Sequence, residues 1–350
     1  MTANVTPVVG GPRYPELARL FPRVFVTGGA GFIGSHVVER LVEEGVAVTV
    51  LVMPGDRAPS LDGLPAARVT RVVGDLSDTA ALERAMAGCD LVIHLAAIYA
   101  IWLPRPALMW EVNVDGTRNI MRAARKAGIG RVVHTSSIAA IGHRVGQEPA
   151  TEEDLFSDWD GDDYVRSKYV SELEALAFAA PDFEVVAVNP AFPFGAKDTG
   201  PTPTGRMVRD TLSGRLPFVV AGGVIAVDVR DVAEGHLLGA LRGRSGRRYI
   251  LGGANVSYRD FAERVARAAR RRPPPVTMPR SALTRAGSVA EWVADHVTHK
   301  PPMLTRRSVG YLAGRYLYFS TLRAEQELGY KPRPIDEAIA ASVAWFRGQG

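Results

Sequence analysis

The chain is poor in features that would narrow its reading at once. It has one cysteine in 350 residues, Cys89, so no internal disulfide can staple it, and a reducing cytoplasm is the compartment that suits it. Cys89 follows Gly88 at the head of an apolar run and reads as a small core residue. No uninterrupted apolar run reaches about 18 residues, so no integral membrane segment is expected, and the first 22 residues lack the ordered regions of a signal peptide. That stretch, with Pro7, Gly10, Gly11, Pro12, Pro15 and Pro22, reads as a loose leader over residues 1–22. Lysine is scarce: 5 of the 42 basic residues are lysines, and the arginines are scattered, with only short clusters such as Arg270-Arg271-Arg272. The net charge of +5 therefore reads as a solvated basic face, and no nucleic-acid partner is expected. The 7 histidines, including the pair His296 and His299, have no carboxylate or cysteine partners at ligand spacing, so no metal is expected.

What is present is a long alternation. The chain is 47% apolar, enough for a sizeable core. From Arg23 to Pro190 the β-branched runs "RVFVT", "AVTVLV", "RVTRVV", "DLVIHLA", "RVVHTSS" and "EVVAVNP" alternate with helical patterns over about 32–44, 78–87, 106–127 and 162–180. Near-continuous apolar strands joined by crossover helices predict an α/β fold: a Rossmann-type doubly wound parallel sheet over residues 23–190. After Pro190 the rhythm breaks into a loop-rich passage of prolines and glycines. Residues 191–350 are expected to form a smaller, irregular substrate-binding region, interleaved with the first.

Within "VFVTGGAGFIGSHVVERL" a strand, a glycine turn and an amphipathic helix follow in order, with Gly28, Gly31 and Gly34 at three-residue spacing. Glycine permits the tight turn and the close approach of a pyrophosphate, whose charge is met by N–H groups at the helix start, Phe32 and Ile33 among them. A second pattern carries chemistry. Tyr164 and Lys168 in "YVRSK" stand four apart, on one face of a predicted helix. Chance would give about 0.14 Tyr-x-x-x-Lys pairs in this composition, and the pair occurs where the fold needs it. An ammonium beside a tyrosine favours the phenolate and eases proton exchange with a substrate oxygen. Ser136 or Ser137, ending "RVVHTSS", could hydrogen-bond that same oxygen.

The Gly-x-x-Gly-x-x-Gly spacing resembles the extended short-chain dehydrogenase/reductase superfamily, of the NAD-dependent epimerase/dehydratase type, over about residues 23–345. The resemblance implies Tyr164 as acid/base, Lys168 as a second cofactor contact, and Ser137, four residues before Ile141, as the serine partner. It also implies an adenine contact at Asp75 and Leu76 in "GDL", and a ribose segment at Leu95, Ala96 and Ala97 in "HLAA". Pro190 is placed by it beside the cofactor, and Asn113 is a structural asparagine. Many members are dimers through the tyrosine-bearing helix, which makes a homodimer an expectation by likeness. "HLAAIYAIW", "NVDGTRNIMRAARKAGIGRVVHTSSIAAIG", "PTPTGRM", "DVAEGHLLGA" and "RYILGG" resemble the dihydroflavonol-reductase-like branch, especially bacterial proteins named hopanoid-associated sugar epimerases.

Two reactions use such a trio: reduction of a ketone, or oxidation of a secondary alcohol, with an exchangeable cofactor; and epimerisation of a sugar or nucleotide sugar with a retained NAD. Nucleotide-sugar members carry an arginine that meets the diphosphate, and aligning on Asp231 puts Val224 there, with Arg206, Arg209 or Arg215 as substitutes. Tyr99, Trp102, Phe192 and Phe194 would suit a bulky, less polar small molecule, with core packing as the other reading of the aromatic group at Tyr99 and Trp102. The stretch "ALTRAGSVAEWVADHV" reads as an amphipathic helix for packing, oligomer contact or a lid. A nucleotide-binding sensor without turnover is disfavoured by the intact trio. The cofactor end lacks the usual acid: "VTVLVMPGD" ends the second strand with Val52 and Met53 where an Asp or Glu would bind the NAD ribose. NADP is therefore expected, with Arg57 as the phosphate partner, and NAD is the alternative if Asp56 reaches back.

Overall fold

The computed structural model describes residues 12–100, 103–216, 218–278, 280–293, 296–297 and 314–348. Residues 1–11 of the expected leader, Trp102 and His299 lie outside the described residues.

Six strands follow the runs read from the sequence: β1 (Arg23–Thr27), β2 (Ala47–Val52), β3 (Val69–Val73), β4 (Leu91–His94), β5 (Arg131–Thr135) and β6 (Glu184–Pro190). Downstream come β7 (Phe192–Phe194), β8 (Phe218–Val220), β9 (Gly223–Asp228), β10 (Arg248–Leu251), β11 (Ala254–Ser257), β12 (Val276–Met278) and β13 (Tyr316–Leu317). The helices that matter below are α1 (Pro15–Leu20), α2 (Phe32–Glu43), α3 (Thr79–Met86), α4 (Ala107–Trp110), α5 (Gly116–Lys126), α6 (Asp163–Leu176), α7 (Pro203–Leu212), α8 (Val229–Arg242), α9 (Tyr258–Ala269), α10 (Arg280–Val293) and α11 (Ile335–Arg347).

The main sheet is parallel and 7-stranded, in the order β10-β6-β5-β4-β1-β2-β3. Strands clad on both faces can be apolar at every position, and β4 and the last four residues of β1 are buried throughout. One face packs on α2 and α8, with Val38, Leu41, Val232 and Leu237 fully buried. The other carries α3, α5 and α6 through Leu82, Met86, Ile120 and Ala175. At β3 the sequence reading needs correcting: it is an edge strand, not a covered one, and Val73 is 67% exposed. The strand order reverses between β1 and β4, whose ends Thr27 and His94 are register partners, and at such a switch point open α/β sheets hold their ligands.

Past Pro190 the chain passes directly into β7, which pairs with β9 beside β11 and β13, while β8 and β12 form a separate two-stranded ladder. Phe194, Phe261 and Ile339 centre a second core there. The chain then returns to add β10 as the seventh strand beside β6, with Arg248 opposite Ala187. The return ties the two regions together and closes the sheet beside the site.

The helix expected over 106–127 is interrupted at Glu111–Asp115 by a wide π turn, which re-aims one residue in a way common near functional sites. That turn holds Asn113. The leader is not loose where it is described: α1 seats Leu17, fully buried, and Tyr14 donates its hydroxyl to Glu234 Oε1 at 2.5 Å. Pro15 and Pro22 had suggested looseness, but proline at the first turn of a helix costs no hydrogen bond. Leu17→Ala is expected to destabilise the protein by about 2–5 kcal/mol in denaturant titration, the range for emptying a buried leucine site, whereas a loose leader would leave the midpoint unmoved.

Candidate active site

The turn after β1 and the loop after β4 are in contact. Gly28 has φ +68°, and a Cβ there would stand 2.7 Å from Ala96 N. Gly34 is as constrained, since its Cβ would lie 2.0 Å from Gly28 O. Gly31 caps α2 with no side-chain bond and no acidic residue occupies the first turn, so the N–H groups at Phe32 and Ile33 face no competing carboxylate. This is the donor set a pyrophosphate needs, and the residues present fit a dinucleotide. Leu95 N donates to Thr27 O and Ala96 N to Thr27 Oγ1, both at 3.1 Å, which fixes the Leu95–Ala97 segment against β1.

Asn113 fastens this loop to the helix behind it. Its Oδ1 accepts from Ile98 N at 2.7 Å, and its Nδ2 donates to Ile98 O at 3.1 Å and to Ser167 Oγ at 2.9 Å. Ser167 lies between Tyr164 and Lys168 on α6, which is capped by Asp162, whose side chain accepts from Val165 N. The pair four apart is thus held in register with the cofactor-side loop. Lys168 is buried, and its ammonium donates to Thr135 O at 2.7 Å, at the end of β5. Burial pulls it down to about 8, against the upward pull of Glu172.

Tyr164 departs from the sequence expectation. Desolvation pushes its phenol up to about 12, opposed by a hydrogen bond with Ser137 and reinforced by Asp162. The Lys168 ammonium donates to Thr135 O, and desolvation is the largest influence on the phenol. Ser137, and not Ser136, meets the tyrosine; Ser136 Oγ is buried with no hydrogen-bond partner among the described residues. The ring of Tyr99 packs edge-on against Tyr164 at 4.6 Å between centroids, and Tyr99 remains 53% exposed, as the wall of an open site would be. Phe192, in β7, is half-buried, but Phe194, two residues on, is core: it is fully buried and packs edge-on against Phe261 at 5.1 Å. Its place in a proline- and glycine-rich passage had made it look accessible.

Beneath Lys168 the sheet carries buried imidazoles that sequence reading passed over. Burial holds His94 down to about 3, with Lys168 adding to the effect. Thr117 Oγ1 gives its proton to Asn113 O, so His94 Nε2 is the donor to Thr117 and Nδ1 the acceptor from Thr27. His134, its neighbour across the strands, is also kept neutral by burial, and neither of its nitrogens has a hydrogen-bond partner among the described residues. Neutral rings keep competing charge away from the ammonium.

The remaining positions sort by surroundings. Asp75, exposed after β3, accepts from Ser77 N at 2.7 Å, and Ser77 holds its carboxyl below the usual range. Leu76 O accepts from Asn119 Nδ2 at 3.0 Å, while Pro190 is buried at the end of β6. Arg57 is exposed in the loop after β2, and its carbonyl accepts from Arg71 Nη1 at 3.3 Å. Asp56 is exposed, with Oδ1 accepting from Ala58 N at 2.8 Å, and Ser60 Oγ ties the same loop to Ala30 O at 2.7 Å. Val224 is buried in β9. A separate cleft of about 620 Å³ lies over α2 and α8, lined by Arg13, Arg40, Glu44, Glu234 and Arg333 among others. Its charges are spent on one another, Arg40 with Glu44 and Arg13 with Glu234, so it offers no comparable chemistry. Among the described residues no group of metal-ligating side chains converges and no helix is long and apolar enough to cross a membrane.

A doubly wound sheet with a glycine turn at its switch point and a Ser/Tyr/Lys cluster beside it defines a nucleotide-cofactor oxidoreductase of the extended short-chain type. The sequence profile of the NAD dependent epimerase/dehydratase family matches residues 24–252, and the chain belongs to that family. It is 38% identical over 340 residues to a Synechocystis protein provisionally named a dihydroflavonol 4-reductase, covering 93% of this chain and 95% of that one. It is 31% identical over 316 residues to the 4-hydroxy-2-methyl-3-oxo-4-farnesyl-3,4-dihydroquinoline-1-oxide ketoreductase of Stigmatella aurantiaca, covering 89% and 92%. The solved structure of gox2253 superposes with a TM-score of 0.82 at 39% identity, covering 94% of this chain and 99% of that one.

Gly28→Ala is expected to cost about 1–2 kcal/mol for the left-handed backbone alone and to push the Ala96 segment outward. Nucleotide fluorescence titration should show NAD(P)H affinity falling by about tenfold or more, with the folded circular dichroism spectrum retained.

Proposed function

We propose that the protein is an NADP-dependent reductase of a ketone carried on a bulky, largely apolar small molecule. The observation that carries this reading is the setting of Tyr164, hydrogen-bonded to Ser137 and packed edge-on against the half-exposed ring of Tyr99. Its phenol is the proton source for the carbonyl oxygen as the hydride reaches the carbonyl carbon, the direction that reduction requires. Bound along the glycine turn, the reduced nicotinamide supplies the hydride. Ser137 orients the reacting oxygen toward Tyr164, and the Lys168 ammonium stabilises the phenolate left when the proton has gone. In this reading Gly28, Gly31, Phe32, Ile33 and Gly34 hold the pyrophosphate, and Asp75 and Leu76 the adenine. Leu95, Ala96, Ala97 and Lys168 hold the riboses, and Pro190 flanks the nicotinamide.

Two features support reduction over epimerisation of a nucleotide sugar. Val224, at the position of the diphosphate arginine, is buried in the core, and of its substitutes Arg209 is paired with Asp210. The carboxylate of Asp56 is engaged by Ala58 N, which leaves Arg57 as the charged group for the adenosine ribose, suited to a 2′-phosphate. The names of the reductase relatives agree with a bulky ketone.

Purified protein given NADPH and a panel of bulky cyclic ketones should consume cofactor. Because Lys168 titrates at about 8 and is charged below it, kcat/KM should be level near neutral pH and fall as pH rises above about 8. Epimerisation of a UDP-sugar without net cofactor turnover, with NAD released on denaturation, would overturn the reductase reading. Arg57→Ala is expected to weaken NADPH by about tenfold or more while leaving NADH affinity within about twofold; equal affinity of the variant and the parent for NADPH would remove Arg57 from the site.

A further inference from the structure

Tyr258 opens α9 near Tyr99. Ser257 caps the helix, accepting from Asp260 N at 3.0 Å, and Tyr258 N donates to Gly222 O at 3.0 Å, so the backbone of the tyrosine is fixed at both ends. Its ring packs against the main core, yet its hydroxyl is buried and has no hydrogen-bond partner among the described residues. A buried hydroxyl without a partner has lost its hydration for nothing, and phenylalanine would fill the same space without that loss. The Tyr258 hydroxyl lies close enough to Tyr99 for their ionisations to oppose each other, and Tyr99 in turn touches Tyr164. The three tyrosines are therefore successive neighbours, from Tyr164 beside Ser137 and Lys168, through Tyr99, to the buried hydroxyl of Tyr258.

We propose that the Tyr258 hydroxyl is a substrate-binding group, hydrogen-bonded to an oxygen that the substrate carries away from its reacting carbonyl, across the aromatic wall of Tyr99. This rests on the reductase reading and narrows its substrate class to a rigid apolar frame with a second hydroxyl or carbonyl remote from the first. Tyr164 grips the reacting oxygen and Tyr258 the distant one, so the frame lies in one orientation and presents one face. Such a site rejects an analogue that lacks the remote oxygen, because the hydroxyl then stays unpaired in the complex.

The test compares 5α-androstane-3,17-dione with 5α-androstan-3-one, a rigid ketone pair differing by one remote oxygen, on the NADPH complexes of the parent and of Tyr258→Phe. Calorimetric binding and steady-state turnover should favour the dione in the parent by about three- to tenfold, and the variant should lose that preference through KM with kcat little changed. The variant should also melt at the same temperature or about 1–3 °C higher, since an unpaired hydroxyl has been removed. A preference that survives in Tyr258→Phe, or a lower melting temperature with both ketones affected alike, overturns the proposal and makes the hydroxyl structural. Failure of the parent complex to bind either ketone is a different result: it removes the bulky-ketone reading and this proposal with it.

Discussion

The side-chain amide of Asn113 is the joint on which the site depends. A parallel sheet delivers strand ends to one edge, but it does not set the spacing between the loop after β4 and the helix two crossovers later. Asn113 sets it by bonding both backbone groups of Ile98 and the hydroxyl of Ser167, which sits inside the Tyr164-to-Lys168 turn. A buried amide that uses its acceptor and both its donors in this way is difficult to move without leaving polar atoms unpaired, so the geometry is rigid. The π turn that carries it aims the side chain across the gap, which an unbroken helix would not do.

Around that joint the electrostatics are arranged by burial. Desolvation raises Tyr164 and lowers Lys168, and the same desolvation keeps His94 neutral below them. The lysine gains its placement from a backbone carbonyl, Thr135 O, rather than from the tyrosine. The outcome is a protonated phenol and an ammonium held near its titration point, side by side on one helical face, with a half-exposed aromatic ring as the wall. An acid of this kind acts when a polar substrate atom replaces the missing solvent.

Legibility in the sequence followed burial. Strands clad on both faces show as unbroken β-branched runs, so β1, β2, β4, β5 and β6 were readable, whereas β3 gave the same signal from an exposed edge. β10 was not read as a strand because it lies past Pro190, outside the strand-and-helix alternation, and its place beside β6 comes from the return of the chain after α8. Phe194 was misread as pocket lining because a loop-rich passage looks exposed, while its ring is drawn into the second core by Phe261. Tyr258 left a partial trace: the serine cap before it and Asp260 after it mark a helix start, but nothing in one chain marks where a phenol oxygen ends.

By itself the sequence determined the alternation that makes a doubly wound sheet, the glycine turn and the one Tyr-x-x-x-Lys pair, because each is a local pattern of conformational or helical spacing. Tertiary structure alone decided which serine meets Tyr164, that Lys168 is turned to Thr135 O, that Asp56 bonds within its own loop and that the Tyr258 hydroxyl has no partner among the described residues. These depend on segments far apart in the chain arriving at one place, and on how much water their packing excludes.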